Sequence, residues 1–233
     1  MTLAIFDLDN TLLRGDSDHA WGQFLVEHHM VDGEAYRREN ERYYAQYRAG
    51  TLDIHEFLAF VLRPLAGNDL DTLRAWHARF MREKIGAMIT PKATALVENH
   101  RARGHTLVII TATNRFVTEP IAAAFNIPHL IATEAEMRDG RYTGRVQGVP
   151  CYREGKVERL KVWMTSHDET LKDSWFYSDS HNDLPLLSIV DHAVAVNPDD
   201  ILRAEAKTRG WRILQLGRRS RRGPTSSIPG VVD

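Results

Sequence analysis

Short apolar runs alternate with amphipathic segments along most of the chain. The runs have the length of buried strands and are rich in branched residues. They lie at residues 3–6, 107–110, 130–132, 175–177, 193–196 and 212–216. Segments with a helical apolar period separate most of them, at residues 93–103, 116–125, 157–165 and 200–208. Because helices connect parallel strands, this alternation predicts a doubly wound α/β fold whose parallel sheet is covered on both faces.

One long stretch carries only helical patterns. Its predicted helices lie at residues 19–28, 33–48, 54–65 and 69–84. We therefore predict an α/β core domain formed by residues 1–15 and 90–216, with an inserted α-helical cap domain at residues 16–89. Aromatic residues cluster on one face of these helices, and either helix packing or contact with a substrate accounts for such a face.

Two further segments differ from the strand–helix pattern. Residues 137–151 contain Asp139-Gly140 and Gly144 between short alternating runs, which predicts a β-hairpin beside the sheet. Residues 217–233 are basic and then rich in Pro, Ser and Gly, so we predict a flexible tail there.

Composition and charge exclude several classes of protein. The 233 residues are 43% apolar and 26% charged, as in an ordinary globular enzyme. The formal net charge of -1 provides no field for nucleic acid or an anionic membrane. No run approaches the roughly 20 apolar residues that span a bilayer, and the first residues lack the pattern of a secretory signal. With a single cysteine, these features predict a cytoplasmic protein without nucleic-acid or membrane partners.

The run FDLDNT follows the first predicted strand and contains Asp7 and Asp9. Open parallel sheets bind their ligands at the carboxyl ends of the strands. Residues two apart on an extended segment face the same side, so both carboxylates can approach one ligand. Two converging anions repel each other unless a cation lies between them, and Mg²⁺ suits carboxylate oxygens. The run therefore predicts a magnesium site.

Three later motifs also begin near strand ends. In LVIITATN, the hydroxyl of Thr111 and the N–H groups of Ala112 and Thr113 are candidates for binding phosphate, although Thr111 could instead cap the next helix. In EGKVERL, Lys156 lies in the first turn of a predicted helix, where the helix dipole does not favour a cation. A nearby phosphate or carboxylate would explain that position, whereas solvent exposure is the simpler alternative; Lys161 is a second candidate.

The fourth motif, FYSDSHNDLPLL, contains Asp179 and Asp183 after another predicted strand. Asp179 lies closer to the strand end and is a candidate metal ligand. We expect Asp183 to orient Lys156 and to hold a metal-bound water in the second shell, unless it only begins the following helix.

Together the four motifs resemble those of the haloacid dehalogenase superfamily, and the resemblance covers nearly the whole chain. The helical insertion after the first motif resembles the phosphoserine phosphatase-like branch. Four runs are still more similar to the bacterial histidinol-phosphatases of that branch: GDSDHAW, TATNRF, GKVERL and SDSHNDLPLL.

The resemblance implies a phosphatase that hydrolyses a small-molecule phosphate ester. Asp7 would attack phosphorus and form an aspartyl-phosphate, while Asp9 would act first as acid and then as base. Mg²⁺ would bind to Asp7, the main-chain carbonyl of Asp9 and Asp179. Thr111, the Ala112 N–H and Lys156 would bind the phosphate oxygens.

The substrate is less clearly specified. Asp16 and Asp18 follow the first motif and favour a cationic group, which suits histidinol phosphate, unless one of them only caps the first helix of the insertion. Phosphoserine is an alternative substrate, and transfer of phosphate to a second alcohol is an alternative reaction. The sequence leaves the oligomeric state open.

Overall fold

A seven-stranded sheet forms the centre of the computed structural model, which describes residues 2–216. The order across the sheet is β4-β3-β2-β1-β5-β6-β7, and all neighbours are parallel except the antiparallel pair of β3 and β4. This confirms the doubly wound α/β fold. The strands are β1 (Leu3–Phe6), β2 (Thr106–Asn114), β3 (His129–Arg138), β4 (Arg141–Gln147), β5 (Trp175–Ser178), β6 (His192–Val196) and β7 (Arg212–Leu214).

Helices lie between the strands and in the long stretch after β1. The first group is α1 (Ser17–Glu27), α2 (Gly33–Ala49), α3 (Ile54–Val61), α4 (Arg63–Ala66), α5 (Leu70–Phe80) and α6 (Gly86–Met88). The second group is α7 (Pro91–Ala102), α8 (Arg115–Ala124), α9 (Glu154–His167), α10 (Leu184–Leu187) and α11 (Asp200–Arg209).

Strand β1 shows how the sheet separates two apolar layers. Ala4 and Phe6 belong to the cluster on one face, while Leu3 and Ile5 belong to the cluster on the other. This follows from the two-residue period of a strand. All four side chains are completely buried, which fixes β1 in the sheet and thereby fixes the position of the residues that follow it.

The helices α1 to α6 form one inserted stretch. The chain leaves and re-enters the core at adjacent points, where Leu13 and Ile89 form a short bridge and the Arg14 N–H donates to the Met88 carbonyl. Several residues of this stretch, including Leu58, form an apolar cluster of their own. The division into a core of residues 1–15 and 90–216 and a cap domain of residues 16–89 remains a prediction.

Three sequence-based boundaries differ from the structure. The helix predicted at residues 54–65 is two helices, because Pro64 has no N–H to donate and its ring obstructs a continuous helix. The helix predicted at residues 69–84 changes after Phe80 into a wider turn, Met81–Ile85. Strand β2 continues to Asn114 instead of ending near Thr111.

The hairpin expected at residues 137–151 is present as β3 and β4, and it turns at Asp139 and Gly140 with positive φ at both. The tail expected at residues 217–233 lies outside the described residues. Within residues 2–216, no helix has the length and apolar character needed to cross a membrane.

Candidate active site

Asp7 follows β1 directly and is almost fully buried. Each of its carboxylate oxygens accepts a hydrogen bond. The Thr11 hydroxyl donates to Oδ2 at 3.0 Å, and Lys156 Nζ donates to Oδ1 at 2.8 Å. Burial raises the pKa of Asp7 to about 7, and the charge of Lys156 opposes this rise. The carboxylate is therefore fixed in orientation, and its ionised form depends on nearby cations.

Asp9 lies in the turn after β1, where Asn10 adopts a positive φ of 58°. The Ser17 N–H, at the start of α1, donates to Asp9 Oδ1 at 2.6 Å, and the Thr113 hydroxyl donates to Oδ2 at 2.9 Å. Burial raises the pKa of Asp9 to about 7, and the charge of Asp16 adds to the rise. Asp9 is thus positioned by both the sheet and the inserted helices, with a pKa near neutrality.

Lys156 lies in the first turn of α9 and is only 1% exposed. Its Nζ contacts Asp7 and Asp183, both at 2.8 Å. Burial lowers the pKa of Lys156, but the two carboxylates raise it overall. The solvent-exposed alternative is therefore wrong for Lys156, whereas Lys161 is exposed.

Asp183 contacts both Lys156 and the end of β5. It accepts a hydrogen bond from Lys156 Nζ at 2.8 Å and another from the Ser178 hydroxyl at 2.6 Å. Because Ser178 ends β5, the lysine is connected through Asp183 to the sheet itself.

The phosphate-binding candidates of β2 differ in part from expectation. The Thr111 hydroxyl lies 3.5 Å from Asp9 Oδ2. It also accepts a hydrogen bond from the Thr113 N–H at 3.2 Å, so this N–H, a candidate for binding phosphate, is already used within the protein. Ala112 accepts a hydrogen bond at its carbonyl from the Thr133 hydroxyl. Asn114, not Thr111, caps the following helix α8. The pairing of β2 with β3 is irregular between Ile110 and Asn114, which leaves this segment at the cavity wall.

Asp179 is buried just after β5. Its charge acts on the same tyrosine as three other acids: burial raises the pKa of Tyr47, and the charges of Asp7, Asp179, Asp183 and Asp16 raise it further. Acids of the first and fourth motifs therefore act electrostatically on the same residue of α2.

A cavity lies between this cluster and the inserted helices. Asp7, Asp9, Thr111 and Ala112 lie in its wall, whereas Lys156, Asp179 and Asp183 are buried and do not line it. The remaining wall residues are Asp16, Asp18, His19, Asn40, Tyr43, Tyr44, Tyr47, Leu52, Ile54, Phe57, Thr113 and Tyr152. Three tyrosines of α2 thus face the cavity, while Trp21 and Phe24 of α1 belong to the apolar core.

The two acids proposed for substrate specificity have different surroundings. Asp16 is the N-cap of α1 and accepts the His19 N–H at 2.8 Å, which fits the alternative of a helix cap. Asp18 lies in the first turn of α1 and is buried. Both carboxylates belong to the cavity wall.

Loops of the core hold the C-terminal end of α2 above the cavity. Arg153 donates to the Gly50 carbonyl at 2.5 Å and to Asn182 Oδ1 at 3.1 Å. The Asn182 amide in turn donates to the Tyr47 carbonyl at 3.2 Å. A guanidinium near the C-terminus of a helix is favourable because it opposes the helix dipole. These bonds join the loops beside the acid cluster to the tyrosine-bearing helix.

Several polar residues of the site were not among the sequence candidates. They are donors to the predicted acids: Thr11, Ser17 and Ser178. Thr113 was a candidate only through its main-chain N–H, and the bond from its hydroxyl to Asp9 was not expected. Proximity to the acids in sequence was the available signal for Thr11 and Ser178. Ser17 and Thr113 approach Asp9 only through the fold, from 8 and 104 positions away.

Comparison with known proteins identifies the family to which the four motifs belong. The model of the haloacid dehalogenase-like hydrolases matches residues 4–188. The chain belongs to this family. The hydrolase is 46% identical over 218 residues to a histidinol-phosphatase of Neisseria meningitidis serogroup C, covering 92% of this chain and 98% of the relative.

Two solved structures are similar to the hydrolase. A Bordetella pertussis Tohama I protein of unknown function has a TM-score of 0.88 at 45% identity, over 93% of this chain and all of the other. A substrate-bound phosphoserine phosphatase has a TM-score of 0.68 at 16% identity, over 91% and 92% of the two chains, and at that identity supports the fold alone. With the family match, these findings identify the hydrolase as a phosphatase.

The acid cluster of the hydrolase fits a divalent cation. Asp7, Asp9, Asp179 and Asp183 are all buried, and Lys156 is the one Lys or Arg side chain buried among residues 2–216. Buried anions in excess of buried cations are costly unless another cation joins them. No group of three or more His, Cys, Asp or Glu side chains in that range is arranged to hold a metal alone. A site here would therefore need main-chain, phosphate or water oxygens as well, as Mg²⁺ commonly has.

Proposed function

We propose that the hydrolase is a Mg²⁺-dependent phosphomonoesterase that forms an aspartyl-phosphate on Asp7. The observation that carries the proposal is the position of Asp7, whose carboxylate is held by Lys156 at 2.8 Å and borders a cavity shared with Asp9. An ionised, oriented carboxylate at a cavity wall is suited to attack phosphorus in line with the leaving oxygen. Water then hydrolyses the acyl phosphate.

Asp9 supplies the proton transfers in this proposal. Its pKa, raised to about 7 by burial, matches a group that protonates the leaving alcohol and later accepts a proton from water. The Ser17 N–H and the Thr113 hydroxyl fix both carboxylate oxygens. Asp9 also borders the cavity that would hold the leaving oxygen.

The remaining motif residues bind the charges of the reaction. Asp7, Asp179 and the main-chain carbonyl of Asp9 would hold Mg²⁺, which neutralises the converging anions when bound. Lys156, the Thr111 hydroxyl and the Ala112 N–H bind phosphate oxygens. Asp183 keeps Lys156 in place and contributes to the second shell of the metal.

The substrate in this proposal is a small phosphate ester that bears an amine, and histidinol phosphate is our first candidate. The similarity to the Neisseria histidinol-phosphatase supports it, as does the buried acid Asp18 at the cavity wall. Tyrosines of α2 provide rings against which an imidazole can stack.

A phosphate-release screen of small phosphomonoesters with Mg²⁺ tests this function. It includes histidinol phosphate, phosphoserine and added acceptor alcohols, since a phosphorylated acceptor would indicate a phosphotransferase. Asp7→Asn should abolish release without unfolding the protein. Asp71→Asn is the matched control, because the Asp71 side chain is 95% exposed on α5 and lies outside the cavity wall. Appreciable Mg²⁺-dependent turnover by Asp7→Asn would refute the assignment.

A further inference from the structure

Asp18 is a buried acid at the start of α1, and one of its carboxylate oxygens has an unused capacity to accept hydrogen bonds. Asp18 is 6% exposed, and its Oδ1 accepts no hydrogen bond from residues 2–216. Burial raises the pKa of Asp18 well above its ordinary value, and the charges of Asp16 and Asp9 add to the rise. A buried carboxylate without a partner costs free energy that a donor from outside the protein can restore. Asp18 is also part of the cavity wall, so a bound molecule can supply that donor.

Asp16 differs from Asp18 although it borders the same cavity. Its Oδ1 already accepts the His19 N–H at 2.8 Å and caps α1. A helix cap of this kind accounts for an aspartate without any ligand. The structure therefore distinguishes the role of Asp16 from that of Asp18, which the sequence alone could not do.

Among residues 2–216, the cavity wall has several acids but no lysine or arginine, and burial lowers the pKa of its one histidine, His19. The acids are Asp7, Asp9, Asp16 and Asp18. The arginines of α2 are instead exposed to solvent: Arg37, Arg38, Arg42 and Arg48. A carboxylate on the leaving group would thus meet like charges with no compensating cation, which is unfavourable in a closed site.

Aromatic rings complete the same side of the cavity. Tyr43, Tyr44 and Tyr47 belong to the wall, and the Tyr44 ring stacks on His19 with centroids 4.4 Å apart. Ring faces attract cations within about 6 Å. An acid and several rings, with no lysine or arginine among them, form surroundings suited to an ammonium ion.

We propose that Asp18, and not Asp16, is the counter-ion of a protonated amine on the leaving group. The same wall disfavours leaving groups with a carboxylate, so the substrate class is phosphate esters of amino alcohols instead of hydroxy amino acids. This inference rests on the proposed phosphatase function.

Two esters that differ only in the amine test the role of Asp18. They are histidinol phosphate and its des-amino counterpart, 3-(imidazol-4-yl)propyl phosphate, each assayed with Mg²⁺. Asp18→Asn should lower kcat/KM for histidinol phosphate about 10- to 100-fold, the usual effect of losing a charge-assisted hydrogen bond. The kcat/KM for the des-amino ester should change far less. Asp16→Asn is the matched control and should preserve the wild-type ratio between the two esters, because asparagine also caps helices.

The wild-type protein alone tests the second half of the inference. Phosphoethanolamine and phosphoserine differ only in the carboxylate, and we expect a higher kcat/KM for phosphoethanolamine. A preference for phosphoserine would overturn that half. Equal losses for both imidazole esters in Asp18→Asn, or a ratio that changes in Asp16→Asn alone, would overturn the assignment of Asp18. If the wild type releases phosphate from none of the four esters, the phosphatase function fails, and the amine site fails with it.

Discussion

The buried histidine His100 should make the free energy of unfolding depend on pH, because it packs against two strands at the centre of the sheet. It lies on α7, is 2% exposed, and packs against Phe6 of β1 and Tyr177 of β5. Its Nε2 lies 2.7 Å from the Tyr177 hydroxyl. Burial, with a smaller contribution from the charges of His105 and Arg103, lowers the pKa of His100 from 6.5 to about 4. The imidazole is therefore neutral in the folded protein at pH values where the unfolded chain binds a proton.

The sign and size of the effect follow from this difference. Above pH 6.5 the imidazole is neutral in both states, and its titration has no effect on the free energy of unfolding. As the pH falls from 6.5 towards 4, only the unfolded chain binds the proton, so the folded protein loses stability. Linkage gives a loss of about 2 kcal/mol at pH 5 and about 3 kcal/mol at pH 4 from this group. Total stabilities of about 5–15 kcal/mol make such a loss easy to measure.

Urea unfolding of wild type and His100→Gln at pH 7 and at pH 5 measures the effect. The variant should lose about 2 kcal/mol less than wild type between the two pH values, because glutamine does not titrate and other groups contribute equally to both proteins. Tyr177→Phe is the control: it removes a hydrogen bond but leaves the imidazole buried, so it should retain the pH dependence. If His100→Gln remains as sensitive to acid as wild type, the buried imidazole is not the cause.

Further substitutions test single contacts of the site. Asp9→Asn should slow turnover about 10²- to 10⁴-fold by removing the proton donor, measured by steady-state phosphate release; an unchanged rate would exclude that role. Lys156→Met should lower the free energy of unfolding by about 3–5 kcal/mol, because Asp7 and Asp183 lose their buried cation; urea unfolding that matches wild type would contradict the ion-pair geometry. Arg153→Ala should raise KM more than it lowers kcat, because α2 loses a contact that holds it above the cavity; an unchanged KM would count against that contact.

Much of the fold followed from the sequence because its signals are local. The strands were short apolar runs between helical patterns, and burial on both faces of a parallel sheet requires such runs. The break at Pro64 was also a local signal, but the helical period on either side of it hid the interruption. The extension of β2 to Asn114 depends on pairing with β3, and no property of residues 111–114 alone predicts that pairing.

The candidate site also contains residues that local sequence signals indicated and roles that depend on the fold. Strand ends and residue types indicated Asp7, Asp9, Lys156, Asp179 and Asp183 as a group. The helical period could place aromatic residues on one face, but it could not tell which face would border a cavity. The roles of Asp16 and Asp18 were inseparable in sequence because both lie where a helix begins, and only the position of the His19 N–H distinguishes them.

Both ends of the site, the acid cluster near the sheet and Asp18 near α1, carry excess negative charge. Near the sheet, the buried acids outnumber Lys156, so a cation is needed there before a phosphate dianion can approach Asp7. Near α1, Asp18 Oδ1 accepts no hydrogen bond from residues 2–216, and a protonated amine would supply the missing donor. A substrate with phosphate at one end and ammonium at the other would thus meet opposite charge at both ends once the metal is bound. Metal and substrate should therefore bind with positive cooperativity, because the metal reduces the repulsion between the acids and the phosphate, and the phosphate adds oxygen ligands for the metal.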